Sequence, residues 1–173
     1  MHMQLPAETV PSDKKVSGQL DRLILAALPG RRGLDAWSAF LESHASLMRQ
    51  LETDLESKTG LSLSDFDVIA QLANAGGQLR MTELASRALI SRSGMTRRVT
   101  RLVDEGLVRR AKSDGDARGV VVELTKAGLK RLTETVPVHL RGVFELFVSN
   151  LDDKELAVLE RALKKVTLDC GFG

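Results

Sequence analysis

The sequence predicts a mainly α-helical fold with a small β-wing, on three observations. Apolar residues recur at helical spacing from 34 to about 58, from 64 to 74 and again from 125 onward, the 3.6-residue period of amphipathic helices. Two shorter helical segments, 83–89 and about 91–105, lie back to back between them. Directly after these come two strand-like runs, 107–112 and 119–124, around a turn rich in Asp and Gly at 113–118. A helix pair followed at once by a two-stranded hairpin is the winged helix-turn-helix arrangement.

Taken in order, residues 1–15 are polar, contain Pro6 and Pro11, and read as a disordered tail. Residues 16–33 form an extra helix and linker, the helix carrying Val16, Leu20, Leu23, Ile24 and Ala27 on one face before Pro29-Gly30 stops it. The long helix in 34–60 places Trp37, Phe40, His44, Leu47 and Leu51 on one broad face, with Gly60 as its C-terminal cap. Ser64 and Asp67 have the spacing of a shortened capping box for the next helix. Leu79 and its neighbours make a tiny strand before Thr82, read as the cap of 83–89. Gly106 ends the second of the paired helices. Thr125 caps a long helix to about 148 that Pro137 is expected to kink or divide. Asp152 and Glu155 read as a capping box for a last helix to about 168. The winged unit is thus 61–124, flanked by helices at 34–60 and 125–170.

The net charge of +2 conceals a strong local imbalance. Between 87 and 112 stand Arg87, Arg92, Arg97, Arg98, Arg101, Arg109, Arg110 and Lys112, against only Asp104 and Glu105, so the rest of the chain is acidic on balance. Concentrated basic charge is the footprint of a polyanion partner. Aromatic residues make up 3% with no Tyr, too few to stack the bases of RNA or single strands. Double-stranded DNA is the polyanion that fits. On a helix at 100° per residue, Met95, Val99, Leu102 and Val103 face inward, while Ser93, Gly94, Arg97, Thr100, Arg101 and Asp104 face out, with Arg98 on the flank. Arginine's fork reads guanine edges in the major groove, so Ser93, Arg97 and Arg101 are the candidates for base edges and Arg92 and Arg98 for phosphates. Ser91, Gly94 and Thr96 complete the approach of the helix start. Arg118 on the wing would enter a minor groove, steadied by Asp116.

The runs Leu79-Arg80-Met81-Thr82-Glu83-Leu84-Ala85, Ser91-Arg92-Ser93-Gly94-Met95-Thr96-Arg97-Arg98-Val99, Gly106-Leu107-Val108-Arg109-Arg110, Asp116-Ala117-Arg118 and Leu124-Thr125-Lys126-Ala127-Gly128 resemble the MarR family of bacterial regulators over roughly 35–168. The resemblance implies an obligate homodimer whose N- and C-terminal helices form a dimerisation lobe, a palindromic operator, and release by a small-molecule effector. It also implies an effector pocket, for which Trp37, Phe40, His44, Phe66, Asp67 and Arg98 are the candidates. The Phe-Asp-Val-Ile and Arg-Arg-Val stretches are similar to the PecS-like, urate-responsive branch, so urate or a phenolic anion is the expected effector. The segment 1–33 is longer than the core family needs.

Other chemistries have little to stand on. The one cysteine, Cys170, excludes an internal disulfide and fits a reducing cytoplasm. His2, His44 and His139 lack companions at metal-ligand spacing, and neither a P-loop nor a nucleophile elbow is present, so no metal, cofactor or enzyme activity is expected. No apolar run is long enough to span a bilayer, and no export signal is evident. The rival readings are a winged-helix module that binds protein, or a ligand sensor with no operator, and neither needs arginines gathered on one helix and a wing.

Overall fold

The computed structural model describes the backbone of residues 13–28, 30, 33–88, 91–113 and 116–169, and the side chains of all of these except 13–16, 112–113, 116–119 and 168–169. Residues up to Ser46 form one compact unit and those from Leu47 onward a second, so the division falls inside a helix rather than at 33 or 60. The first unit holds α1 (Asp13–Ala27) and the start of α2 (Leu34–Thr59). Helix α1 begins three residues before its expected start at Val16. The signal passed over was Asp13, an acid where the helix dipole favours one. The remaining tail residues, 1–12, lie outside the described residues.

The second unit runs through the rest of α2, α3 (Leu63–Asn74), β1 (Gln78–Arg80), α4 (Met81–Arg87), α5 (Arg92–Asp104), β2 (Val108–Ser113), β3 (Asp116–Leu124), α6 (Lys126–Leu146), a 3-10 turn (Val148–Asn150) and α7 (Asp153–Asp169). The strands form one antiparallel sheet in the order β1-β3-β2, with Leu79 opposite Val122 and Val122 opposite Arg110. The core joins Leu55 of α2, Val68, Ile69 and Leu72 of α3, Leu84 of α4, Met95, Val99 and Leu102 of α5, Val108 and Val122 of the sheet, and Leu132 of α6. Each such side chain contributes about 1.5–3 kcal/mol by leaving water.

Three expectations about local structure need correcting, and a fourth, the kink or division at Pro137, is narrowed. Helix α3 is capped by Ser62, whose hydroxyl accepts from the Asp65 N–H at 3.1 Å, while Glu52 accepts from the Leu63 N–H. Ser62 has the extended backbone of an N-cap, so the identical Ser-x-x-Asp spacing two residues later forms no box, and Asp67 instead accepts from Gln71. Helix α4 starts at Met81, with Thr82 inside it and no side-chain cap. The pairing of Arg80 with Val121 sets that start. Strand β3 already begins at Asp116, which pairs with Ser113. Of the six residues expected as the turn, 113 and 116–118 therefore lie in strands and 114–115 lie outside the described residues, with the pairing breaking register beside Lys112. Pro137 lies inside α6 without dividing it. Buried Leu132, Thr135 and Gly142 hold the helix on both sides of the proline.

Other expectations match. Thr125 caps α6 by accepting from the Gly128 N–H. Asp152 and Glu155 form a reciprocal box, each carboxylate accepting from the other residue's N–H at 2.9 Å. A Cβ on Gly128 would collide with the Leu107 carbonyl, so a residue without one lets α6 start against the base of the hairpin. Among the described residues no helix is long and apolar enough to cross a membrane.

Candidate nucleic-acid interface

Helix α5 is a two-sided element. Met95, Val99 and Leu102 have no exposed surface, and their i, i+4, i+7 spacing fixes the helix against the core. Ser91 caps its start by accepting from the Gly94 N–H at 3.2 Å, and Gly106 ends it at φ 72°, a left-handed conformation that suits glycine. The opposite side shows Arg92, Ser93, Thr96, Arg97, Thr100 and Arg101 to solvent. Thr96 and Thr100 return their hydroxyl protons to the carbonyls of Arg92 and Thr96, which leaves the Thr96 lone pairs outward, while the Thr100 oxygen accepts from Arg110 of β2. Arg92 and Arg97 have no ion-pair partner among the described residues. Gly94, Arg97, Arg98 and Arg101 line one open groove along this side.

Two of the arginines are tied down. Asp65 on α3 is 3% exposed. Its Oδ1 accepts from Arg98 Nη1 at 3.3 Å, and its Oδ2 accepts from Arg101 Nη2. Arg101 Nη2 also reaches the Ser62 hydroxyl at 3.4 Å, and Arg98 Nε is buried without a partner. Arg101, assigned by the helical wheel to base edges, is therefore bound to α3, and Asp65 is the functional candidate that sequence reasoning missed. Its signal was the Ser62-x-x-Asp65 spacing, overlooked in favour of Ser64 and Asp67.

The hairpin is braced against α5 and across its own strands. Arg110 on β2 donates to the Thr100 hydroxyl at 2.5 Å, and Arg109 pairs with Glu123 of β3 at 2.5 Å. Asp116 and Arg118 fall within β3 rather than in the turn, and their side chains lie outside the described residues.

The residues named for an effector fall in both units. In the first, Trp37 stacks on Phe40 at 6.1 Å between ring centroids, and Phe40 lies 6.3 Å from His44. All three are exposed along α2. In the second, buried Phe66 lies 4.7 Å from the His139 ring of α6. Burial lowers the His139 pKa below its ordinary value of 6.5, and the nearby Asp67 carboxylate partly offsets this. His139 Nδ1 is buried without a partner. Among the described residues no three His, Cys, Asp or Glu side chains gather as metal ligands.

Residues 59–119 match the sequence profile of the MarR family. The fold is similar to that of AbsC, a MarR family transcriptional regulator from Streptomyces coelicolor, at 31% identity and a TM-score of 0.75, over 81% of this chain and 95% of that one. A second S. coelicolor regulator of the family, solved in complex with DNA, is 30% identical with a TM-score of 0.73, over 76% of this chain and 86% of that one. The regulator PecS of Dickeya dadantii is 29% identical over 64% of this chain and 67% of its own length. At 30–31% identity over 86–95% of those two solved regulators, the chain belongs to the MarR family of transcriptional regulators.

Proposed function

We propose that this regulator acts in the cytoplasm as a homodimeric, ligand-responsive repressor that binds a palindromic operator in double-stranded DNA through α5 and the β2–β3 hairpin. The observation that carries the reading is α5 itself, with a fully buried anchor on one side and, on the other, exposed Ser93 and an exposed Arg97 that has no partner among the described residues. Arg97 and Ser93 meet base edges, Arg92 and the N-terminus of α5 meet phosphate, and Asp116 and Arg118 of β3 are the residues assigned to the wing's contact with DNA. Dimerisation is supported in the second unit by Leu140 and Phe144 of α6 and Val158 and Val166 of α7, each more than half exposed, because such apolar surface marks an interaction face. A relative of the same family is solved in complex with DNA.

The effector is an aromatic anion such as urate or a phenolic compound. Within the second unit, buried Phe66 and the unpartnered Nε of Arg98 supply matching chemistry, and within the first, the exposed rings of Trp37, Phe40 and His44 form a separate aromatic row. Gel-shift titration of a duplex from upstream of the protein's own coding sequence tests the operator, and calorimetry with urate and salicylate tests the effector. Arg97→Ala is expected to relax sequence preference, whereas Arg118→Ala weakens binding to every duplex and flattens its salt dependence. An Arg118→Ala protein that shifts DNA as well as wild type at moderate salt contradicts the role of the wing.

A further inference from the structure

Asp65 is a nearly buried carboxylate serving two guanidiniums of the helix that faces DNA in the reading above. Arg97 and Arg101 are four residues apart on α5, so they share a face, and with Arg98 they line the same groove. They differ in what holds them. Arg97 has no partner among the described residues, whereas Arg101 is bound by Asp65 and Ser62 and Arg98 by Asp65. The Arg101 side chain is still 52% exposed. Released from Asp65, its cation could remain in water or meet a phosphate, without the penalty of an uncompensated buried charge.

We propose, resting on the DNA-binding reading, that Asp65 is a positioning residue for sequence recognition: it holds Arg98 and Arg101 back against α3 and leaves Arg97 as the α5 guanidinium that reads a base edge. Two mobile cations on that face would otherwise add contacts to any phosphate backbone, because such contacts carry no sequence information. The carboxylate therefore lowers affinity for random DNA and sharpens the ratio between operator and random sequence. A purely architectural ion pair, tying α3 to α5, would instead affect folding and both kinds of binding together.

The test uses the full-length protein with two duplexes of equal length, one from upstream of its own coding sequence and one of random sequence, titrated over a range of salt concentrations. Asp65→Asn keeps the shape and removes the charge. Each released arginine that meets a phosphate steepens the slope of log affinity against log salt by about 0.9, so the random-duplex slope should steepen by about 1 to 2. Random-duplex affinity should rise about tenfold at low salt, and the specificity ratio should fall by a similar factor. An unchanged slope and ratio, or a parallel loss on both duplexes, overturns the proposal.

Arg101→Met provides a second reading should Asp65→Asn not fold. A sequestered Arg101 contributes no DNA contact, so its loss leaves the slope and specific affinity at wild-type values. A slope flattened by about 0.9 means that Arg101 already touches phosphate and overturns the assignment. If wild type fails to prefer its own upstream duplex, the DNA-binding reading fails and the inference with it. If wild type discriminates and Asp65→Asn changes nothing, the inference alone fails.

Discussion

The segment from α3 to β3 and the helices toward the ends of the chain use apolar residues in opposite ways. In the former, Val68, Ile69, Leu72, Leu84, Met95, Val99, Leu102 and Val122 have no exposed surface, so that region, with Leu55 of α2 and Leu132 of α6 added to its core, is closed from water. In α6 and α7, Leu140 is 57% exposed, Phe144 58% and Val166 61%. In the separate N-terminal unit Leu23 and Trp37 are likewise more than half exposed. A sealed region can hold an arginine-bearing helix still, which recognition of base edges requires. An apolar surface left open is costly in water and gains by association. Reading and assembly are thus assigned to different parts of the molecule, and variants should separate them.

The largest effect is expected at Leu102. Leu102→Ala removes a fully buried side chain from α5 and leaves a cavity, costing about 3–4 kcal/mol in stability. Urea unfolding would show a lower midpoint with an unchanged slope, and a loss below 1 kcal/mol would mean that α5 is not anchored as described. Phe144→Glu should do the reverse, leaving the α3–β3 core intact while raising the dimer dissociation constant about 10- to 100-fold, the equivalent of about 1.5–3 kcal/mol for one buried aromatic side chain. Sedimentation at micromolar concentration measures it, and an unchanged dimer would remove Phe144 from the interface.

A smaller and pH-dependent effect belongs to His139. Its pKa is lowered in the folded state, so the unfolded chain binds a proton more readily. The stability this contributes is complete above the unfolded value of 6.5 and is lost as pH falls through the lower folded one. His139→Leu should therefore flatten the fall in stability between pH 7 and 5, measured by unfolding at each pH. An equally steep fall would assign that pH dependence to other groups.

Much of this was legible in the sequence, for identifiable reasons. The inward triad Met95, Val99 and Leu102 follows from the helical period, and the Asp152–Glu155 box and the Thr125 cap follow from local chemistry that the fold leaves untouched. What was misread depended on partners distant in sequence. The start of α4 is set by the pairing of Arg80 with Val121 on β3, and the fate of Arg101 is set by an acid 36 residues earlier. Two identical Ser-x-x-Asp spacings stand at the head of α3. Only the folded chain, with Ser62 in extended geometry, distinguishes the one that caps the helix from the one that does not.

The claim that α5 reads duplex DNA as one half of a symmetric pair is tested most directly by hydroxyl-radical footprinting of the protein on the DNA upstream of its own coding sequence. The account predicts two protected patches related by two-fold symmetry and centred about one helical turn apart, roughly 34 Å or a small multiple of it, both lost with Arg97→Ala at moderate salt. Uniform protection without symmetric patches, or a footprint unchanged by Arg97→Ala, would contradict it.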